Sequence, residues 1–516
     1  MKKRYFILFL CCVSWFTGRS AVTDSARIEH HATWKNWQKE TAWQNPAIHG
    51  LSLTLPYSEV YVQMDYLHQS APFVLQKGTG HFLSEAKAET FLRLSNHSSA
   101  WGAASYMTGK QYQVSWNSSS DYDLLNPYIL ADTLGGDTHC ERYGFQGGYA
   151  VSKGKFQLGI EAIFRAEHEY RNVDPRMRGI VTDLTLRLGT AYDFGKYQWA
   201  AGLEGNVYKQ TNDVDFYREL GVIPEFQMTG LGTEYSRFSG DKRTLYYKGG
   251  GYGINLDANP LNETGFYGHA KLWRRQYKRM LADLNSVPLT QLFYHSAEVS
   301  LGWKHMGGSR QVALDGNLVF VRRSGDENII GKSSAQYYPI IGKLTMYKNY
   351  LIDTYLRGLY GWGSGSGTWC LNGKIGYWSN RERYVYPERK MEAAKIYGRL
   401  GGQWMRSLFR TVVLTVDMAA AYYGNVSSGI VMPYANMKAS FQDMINHQYQ
   451  FEKAGYGMLS AKIRSDYRLS GSQIGLFAEL GGDWITCSEN EHQHHLHLVE
   501  LWPDTHSRSW LRVKVS

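Results

Sequence analysis

The chain of 516 residues carries 38 Tyr, 20 Phe, 16 Trp and 53 Gly against 12 Pro, with a formal net charge of +10 at pH 7. Such an aromatic and glycine excess suits long strands joined by turns and argues against a string of helical domains. The positive charge is spread without a Lys/Arg block, so there is no footprint for nucleic acid.

Residues 1–20 read as a signal peptide. Lys2, Lys3 and Arg4 form a basic start, Tyr5 to Phe16 form an apolar run, and Gly18 and Ser20 supply the small residues for cleavage after Ser20. The run is too short to span a bilayer. Cys11 and Cys12 sit inside it with no small residue before them, which excludes a lipoprotein signal. Losing Lys2, Lys3, Arg4 and Arg19 with this peptide leaves a net charge of +6. Beyond it, Cys140, Cys370 and Cys487 support neither a disulfide framework nor a zinc motif, although one bridge stays open. Residues 21–57, with Trp34, Trp37 and the stretch 41–47, are expected to form an N-terminal periplasmic or lumen-entering segment.

From residue 58 to 516 the sequence alternates. In 156–167, Phe156, Leu158, Ile160, Ala162, Phe164 and Ala166 share one face, while Gln157, Glu161, Arg165 and Glu167 share the other. The stretches 197–210, 395–404 and 411–422 do the same, led by Trp199, Leu203 and Val207, by Ile396, Leu400 and Trp404, and by Val412, Leu414 and Met418. Soluble sandwiches also alternate, but their strands run to about five or six residues, whereas a tilted membrane strand needs about 9–11. A mean hydropathy of −0.41 fits, because lipid-facing and lumen-facing residues cancel. Aromatic residues gather near segment ends at Tyr143, Tyr149, Phe156, Tyr192, Tyr197, Trp199, Tyr422 and Tyr423, where rings suit the headgroup layer. The fold expected is therefore all-β: a transmembrane antiparallel β-barrel of the outer-membrane type, in contact with outer-membrane lipid.

Nineteen candidate strands emerge, among them 336–346, 350–361 and 450–466. A single-chain bacterial barrel should have an even number, and the alternation of short and long connections slips between 336 and 391, so one strand there is miscounted. The expectation is 18 strands, within 16–20. Short turns at Ser152–Lys155, Asp193–Lys196 and Ser470–Ser472 belong to the periplasmic side, and the long stretches 117–140, 212–243 and 425–449 to the cell surface.

Four stretches carry a resemblance: Ala100 to Lys110 (AWGAASYMTGK), Asp121 to Tyr128 (DYDLLNPY), Tyr170 to Arg176 (YRNVDPR) and Thr229 to Gly240 (TGLGTEYSRFSG). They resemble a family of outer-membrane β-barrels of unknown function from gut anaerobes with a two-membrane envelope. The resemblance implies an accessory role in uptake beside an energised outer-membrane receptor, and no known chemistry. The ending Val513-Lys514-Val515-Ser516, with Trp510 as nearest aromatic, departs from the aromatic finish usual for such barrels.

No G-x-S-x-G or H-E-x-x-H occurs and no Ser-His pair shares a strand face, so no catalytic residue and no enzyme is expected. His492, His494, His495 and His497 are weak metal candidates, better read as a polar surface loop; no cofactor is expected. Glu161, Arg165, Arg187, Glu204, Asn206, Arg399 and Asp417 are the lumen-facing candidates, and they either tune solute passage or pair within a plugged interior. Two functions follow. One is a channel or accessory component of solute uptake; the other is a non-transporting binding or scaffold barrel whose surface loops contact a receptor or external ligand.

Overall fold

The computed structural model describes residues 30–217, 225–239, 244–282, 285–333, 338–364, 367–408, 411–469, 474–488 and 505–515. Among them, one sheet of 18 strands winds around the molecule. In chain order these are β1 (Tyr57–His68), β2 (Gly80–Ser95), β3 (Ser98–Val114), β4 (Gly136–Lys153), β5 (Phe156–Arg171), β6 (Arg176–Phe194), β7 (Tyr197–Asp215), β8 (Leu245–Pro260) and β9 (Thr264–Leu281). They continue as β10 (Val287–His305), β11 (Arg310–Ile330), β12 (Ile340–Ser364), β13 (Gly367–Tyr384), β14 (Arg389–Leu408), β15 (Val412–Val431), β16 (Gly455–Arg468), β17 (Gly475–Ser488) and β18 (Thr505–Val515). Each is antiparallel to its chain neighbours, and β18 returns to β1 with Val60 opposite Val515, which closes the barrel.

The expected alternation is present in three dimensions. Leu158, Leu203 and Leu400 are 47%, 60% and 75% exposed on the outer wall, while Glu161 and Asn206 are 3% and 8% exposed inside. An outward belt of this kind has only hydrocarbon to bury it, so the chain is a transmembrane β-barrel of the outer membrane.

The miscounted strand is explained by a bulge. Residues 340–346 and 350–361 belong to a single strand, the 25-residue β12. Opposite β11, Gly325 pairs with Tyr347 and Asp326 with Thr345, leaving Met346 unpaired. One extra residue reverses which face each later side chain takes, so the sequence pattern there looks like a break.

Other boundaries also move. The expected surface stretches give up 136–140, 212–215 and 425–431 to strands, and the expected strand 450–466 gives up 450–453 to a helix, Ala439–Lys453. Tyr423 faces inward rather than joining an aromatic belt, stacked between Tyr397 and Tyr456. Cys140 and Cys370 are buried free thiols. The expected turn at Ser470–Ser472 and the cluster His492, His494, His495 and His497 lie outside the described residues.

Candidate functional site

Chain enters the lumen from both ends. At the short-turn end, residues 30–52 lie inside the wall and finish in helix α1 (Pro46–Ser52). Pro46 opens the helix and the Asn45 side chain caps it, accepting from Ala47 N at 3.0 Å. The helix needs a flat seat. Gly159 and Gly189, directly opposed on β5 and β6, provide it: a Cβ on Gly159 would fall 2.4 Å from Ala47 N, and one on Gly189 2.0 Å from the Asn45 side-chain oxygen.

The rest of this stopper is tied down by polar groups. Trp37 Nε1 donates to the Tyr267 hydroxyl at 2.7 Å, and the Arg357 guanidinium lies 4.3 Å from the centre of the indole while bonding Asp315 at 2.7 Å. The Gln403 side chain accepts from Thr33 N at 2.8 Å and donates to His31 O at 3.0 Å. Lys271 donates to Gln44 at 2.6 Å.

At the long-loop end, the three loops between β3 and β4, β7 and β8, and β15 and β16 fold down into the mouth. The first carries the short helix α2 (Tyr122–Leu125) and the third the 15-residue α3 (Ala439–Lys453). Residues 130–131, 226–230 and 233–234 make a small sheet between the loops. Trp116, Phe226 and Phe441 form an aromatic knot with ring centres 5.0–6.1 Å apart, inside a buried cluster with Leu125, Ile129 and Met444.

Loop carbonyls in such a place need donors, and wall arginines supply them. Arg279 donates to Ile129 O at 3.2 Å and to Met228 O at 2.9 Å, and Arg389 donates to Leu231 O at 2.8 Å. Arg171 meets Asp132 at 2.9 Å with both side chains fully buried. Arg165 grips Asp121 with two bonds of 2.8 and 2.6 Å.

Beneath these loops a cavity of about 460 Å³ remains. Its wall is the inner face of β12–β16 and its roof is Phe73–Lys77, α2 and α3. The lining is largely aromatic: Trp378, Phe73 and Phe451, and the stack Tyr397–Tyr423–Tyr456 with centres 5.1 and 4.5 Å apart. Set among the rings are Lys374, 3.5 Å from the centre of Tyr355, and Lys395, 5.1 Å from that of Tyr456. Arg399 is the cross-strand neighbour of Lys374. Among the described residues, no carboxylate oxygen comes within 4.0 Å of Lys374, Lys395 or Arg399. Four acids also line it: Asp353, which accepts from the Tyr397 hydroxyl at 2.6 Å, Asp123, which pairs with Lys77 at 2.7 Å, and, on the α3 side, Glu382 and Glu452, to both of which Asn380 donates, at 3.5 and 3.4 Å. Burial, then the charge of Glu382, pushes the Glu452 carboxyl up to about 8, which keeps it neutral at pH 7.

The seven lumen-facing candidates divide unevenly. Glu161 accepts from Trp101 at 2.8 Å, Gln146 at 2.7 Å and Arg187 at 2.9 Å. Arg187 also meets Glu204 at 3.4 Å, which meets Lys271 at 3.3 Å. Asn206 donates to Asp183 at 2.6 Å, Arg165 holds Asp121, and Asp417 accepts from Gln403 at 2.9 Å and pairs with Lys462 at 2.9 Å. These six are satisfied within the wall and its stoppers. Arg399 alone of the seven is exposed in the lumen with no ion pair, beside the cavity. Sequence reasoning missed Lys374, Lys395, Glu452 and the aromatic lining. Lys395 and Tyr397 fall on the polar side of the alternation in 395–404, but nothing in that alternation separates a lysine that meets a carboxylate from one that does not.

Known structures overlap this chain loosely. A copper transporter, OprC, covers 89% of the chain over 80% of its own length at 10% identity with a TM-score of 0.39. The siderophore receptor PirA from Acinetobacter baumannii covers 89% over 80% at 8% identity and 0.39. The FrpB iron transporter from Neisseria meningitidis covers 92% over 83% at 9% identity and 0.37. Scores of this size say nothing of cargo. No curated protein matches the chain in sequence. A family model does match, over residues 46–515, from the seat of α1 to the closing strand: the chain belongs to a family of unknown function, DUF6850.

Proposed function

We propose that this barrel is a gated component of solute uptake across the outer membrane, and that the cavity on β12–β16 holds a small amphipathic solute with an anionic group. The observation that supports this reading is the pair of inward cations Lys374 and Lys395, set against aromatic rings with no carboxylate oxygen within 4.0 Å among the described residues, with Arg399 across the strand from Lys374. A desolvated cation without a counter-charge is costly, and an anionic ligand would supply one. Aromatic walls with a few convergent charges suit a compact amphipathic molecule, and the volume lies within the range usual for small-molecule sites. Passage requires both stoppers to yield.

Benzoate and the uncharged benzyl alcohol serve as probes, titrated into the detergent-folded barrel by calorimetry. Benzoate should bind and benzyl alcohol should bind at least about tenfold more weakly, the order of one lost charged hydrogen bond. Lys374→Gln with Lys395→Gln should abolish the difference. Equal binding of the two probes to the unaltered protein would end this reading. The scaffold alternative draws less support, because the stretches 117–140, 212–243 and 425–449 turn much of their apolar surface into the mouth, at Leu125, Phe226 and Met444 among others. A partner receptor would have to meet the rim instead.

A further inference from the structure

The outer wall of β7–β13 changes character toward the long-loop end. Reading up each strand, the lipid-facing residues are apolar at Val207, Tyr252, Leu272, Phe320 and Ile352, which are 67%, 61%, 55%, 36% and 38% exposed. The outward positions then become basic. Lys209, Lys248 and Lys278 are direct cross-strand neighbours on β7, β8 and β9. Nearby, Arg274 faces His295 and His295 faces Arg322, and Lys348 faces Arg383.

Like charges directly opposed on adjacent strands destabilise a sheet. Carboxylates offset some of this band: Asp326 meets Lys343 at 2.8 Å, and Glu392 meets Lys390 at 3.0 Å and Arg381 at 3.8 Å. Among the described residues, none reaches within 4.0 Å of Lys209, Lys248, Lys278, Arg274, Arg322 or Lys348. The band is also one-sided. Around the barrel, on β2, β3 and β4, outward positions hold Phe82, Tyr106 and Tyr143, at 40%, 38% and 45% exposure, and the lysine opposite Phe82, Lys110, is paired with Asp137 at 2.7 Å.

We infer that this band is a docking surface for membrane lipid whose headgroup carries more than one phosphate, held with its acyl chains on the apolar belt below. Height fixes the ligand as lipid, since the cations stand at the upper edge of a surface made for hydrocarbon. Charge fixes the headgroup, because lysine and arginine ammonium and guanidinium groups bind phosphate oxygens through strong charge-assisted bonds. Spacing favours several phosphates. Neighbouring strands lie about 4.8 Å apart, so three lysines in a row span roughly 10 Å, which is wide for a single phosphate.

The test uses the full chain, folded in neutral detergent, with three probes: bisphosphorylated lipid A, its monophosphoryl form and phosphatidylcholine. Retention through detergent exchange is read by native mass spectrometry. Lipid A should be kept best and phosphatidylcholine least. The variant Lys209→Gln/Lys248→Gln/Lys278→Gln should lose lipid A about a hundredfold, at roughly fivefold per lysine near an anionic surface. Lys153→Gln/Lys155→Gln, at the opposite end of the wall, should leave it unchanged. Should the triple variant fail to fold, Arg274→Gln/Arg322→Gln and the loss of retention with added salt give the same reading. Equal retention of lipid A and phosphatidylcholine, an unchanged triple variant, or displacement of lipid A by equimolar inorganic phosphate would each overturn the inference.

Discussion

The two stoppers close one lumen by different physics. The long-loop stopper is built like a domain core, with Trp116, Phe226, Phe441 and Ile445 buried together and arginines capping its carbonyls. Residues 30–52 bury few large apolar side chains, Trp37 and Ile48 among them, and rely on side-chain hydrogen bonds to Gln403, Tyr267 and Lys271. A buried large apolar side chain contributes about 1.5–3 kcal/mol, and an ordinary hydrogen bond about 1. Hydrogen bonds in a wet lumen can also be exchanged for water one at a time. The lower stopper is thus the part suited to being withdrawn, and the upper one the part that shapes the cavity.

The sharpest way to break this contrast is to remove the aromatic knot. Phe226→Ala with Phe441→Ala should destabilise loop docking by roughly 6 kcal/mol, less any coupling between the touching rings. Trypsin should then cut near Arg237 and Lys438 while the barrel still shifts on heating in gels; protected loops would show that the core reading is wrong.

Glu452 tests the same stopper through pH. Its carboxyl keeps its proton in the docked state up to about 8, facing Glu382, Asn380, Gln448 and Lys395, whereas a released helix would lose it near the ordinary glutamate value of about 4.5. Between those two values the open form binds fewer protons, so docking of α3 weakens as pH rises and levels off above about 8. Amide exchange in 439–453 should accelerate over that interval, and Glu452→Gln should flatten the slope. An unchanged slope in the variant would assign it to another group.

The smallest effect belongs to the lower stopper. Gln403→Ala removes the bonds to Thr33 N and His31 O and should cost about 1–2 kcal/mol, raising exchange in 30–45 and the open-channel frequency in planar bilayers. If it proved as damaging as losing the aromatic knot, the two stoppers would not differ in kind.

The barrel was legible because lipid on one side and water on the other write a period of two into each strand, as Leu158 and Glu161 illustrate. The pattern failed at Met346, where one extra residue inverts the faces. It also faded at 136–140 and 425–431, which rise past the apolar belt and no longer need apolar residues outside. The cavity was illegible for another reason. Its roof comes from Phe73 and Phe451, nearly four hundred positions apart in sequence, and a periodicity reads only near neighbours.

Strand β12 has a mechanical corollary. Its 25 residues, tilted as barrel strands are, climb roughly 55 Å, about twice the apolar height such walls present to a bilayer. The upper courses therefore stand clear of hydrocarbon as a collar wetted inside and out. In a thicker or thinner membrane the waterline would slide along that collar, so the depth at which the barrel floats is set by where its outer wall turns from leucine to lysine, not by how tall it is.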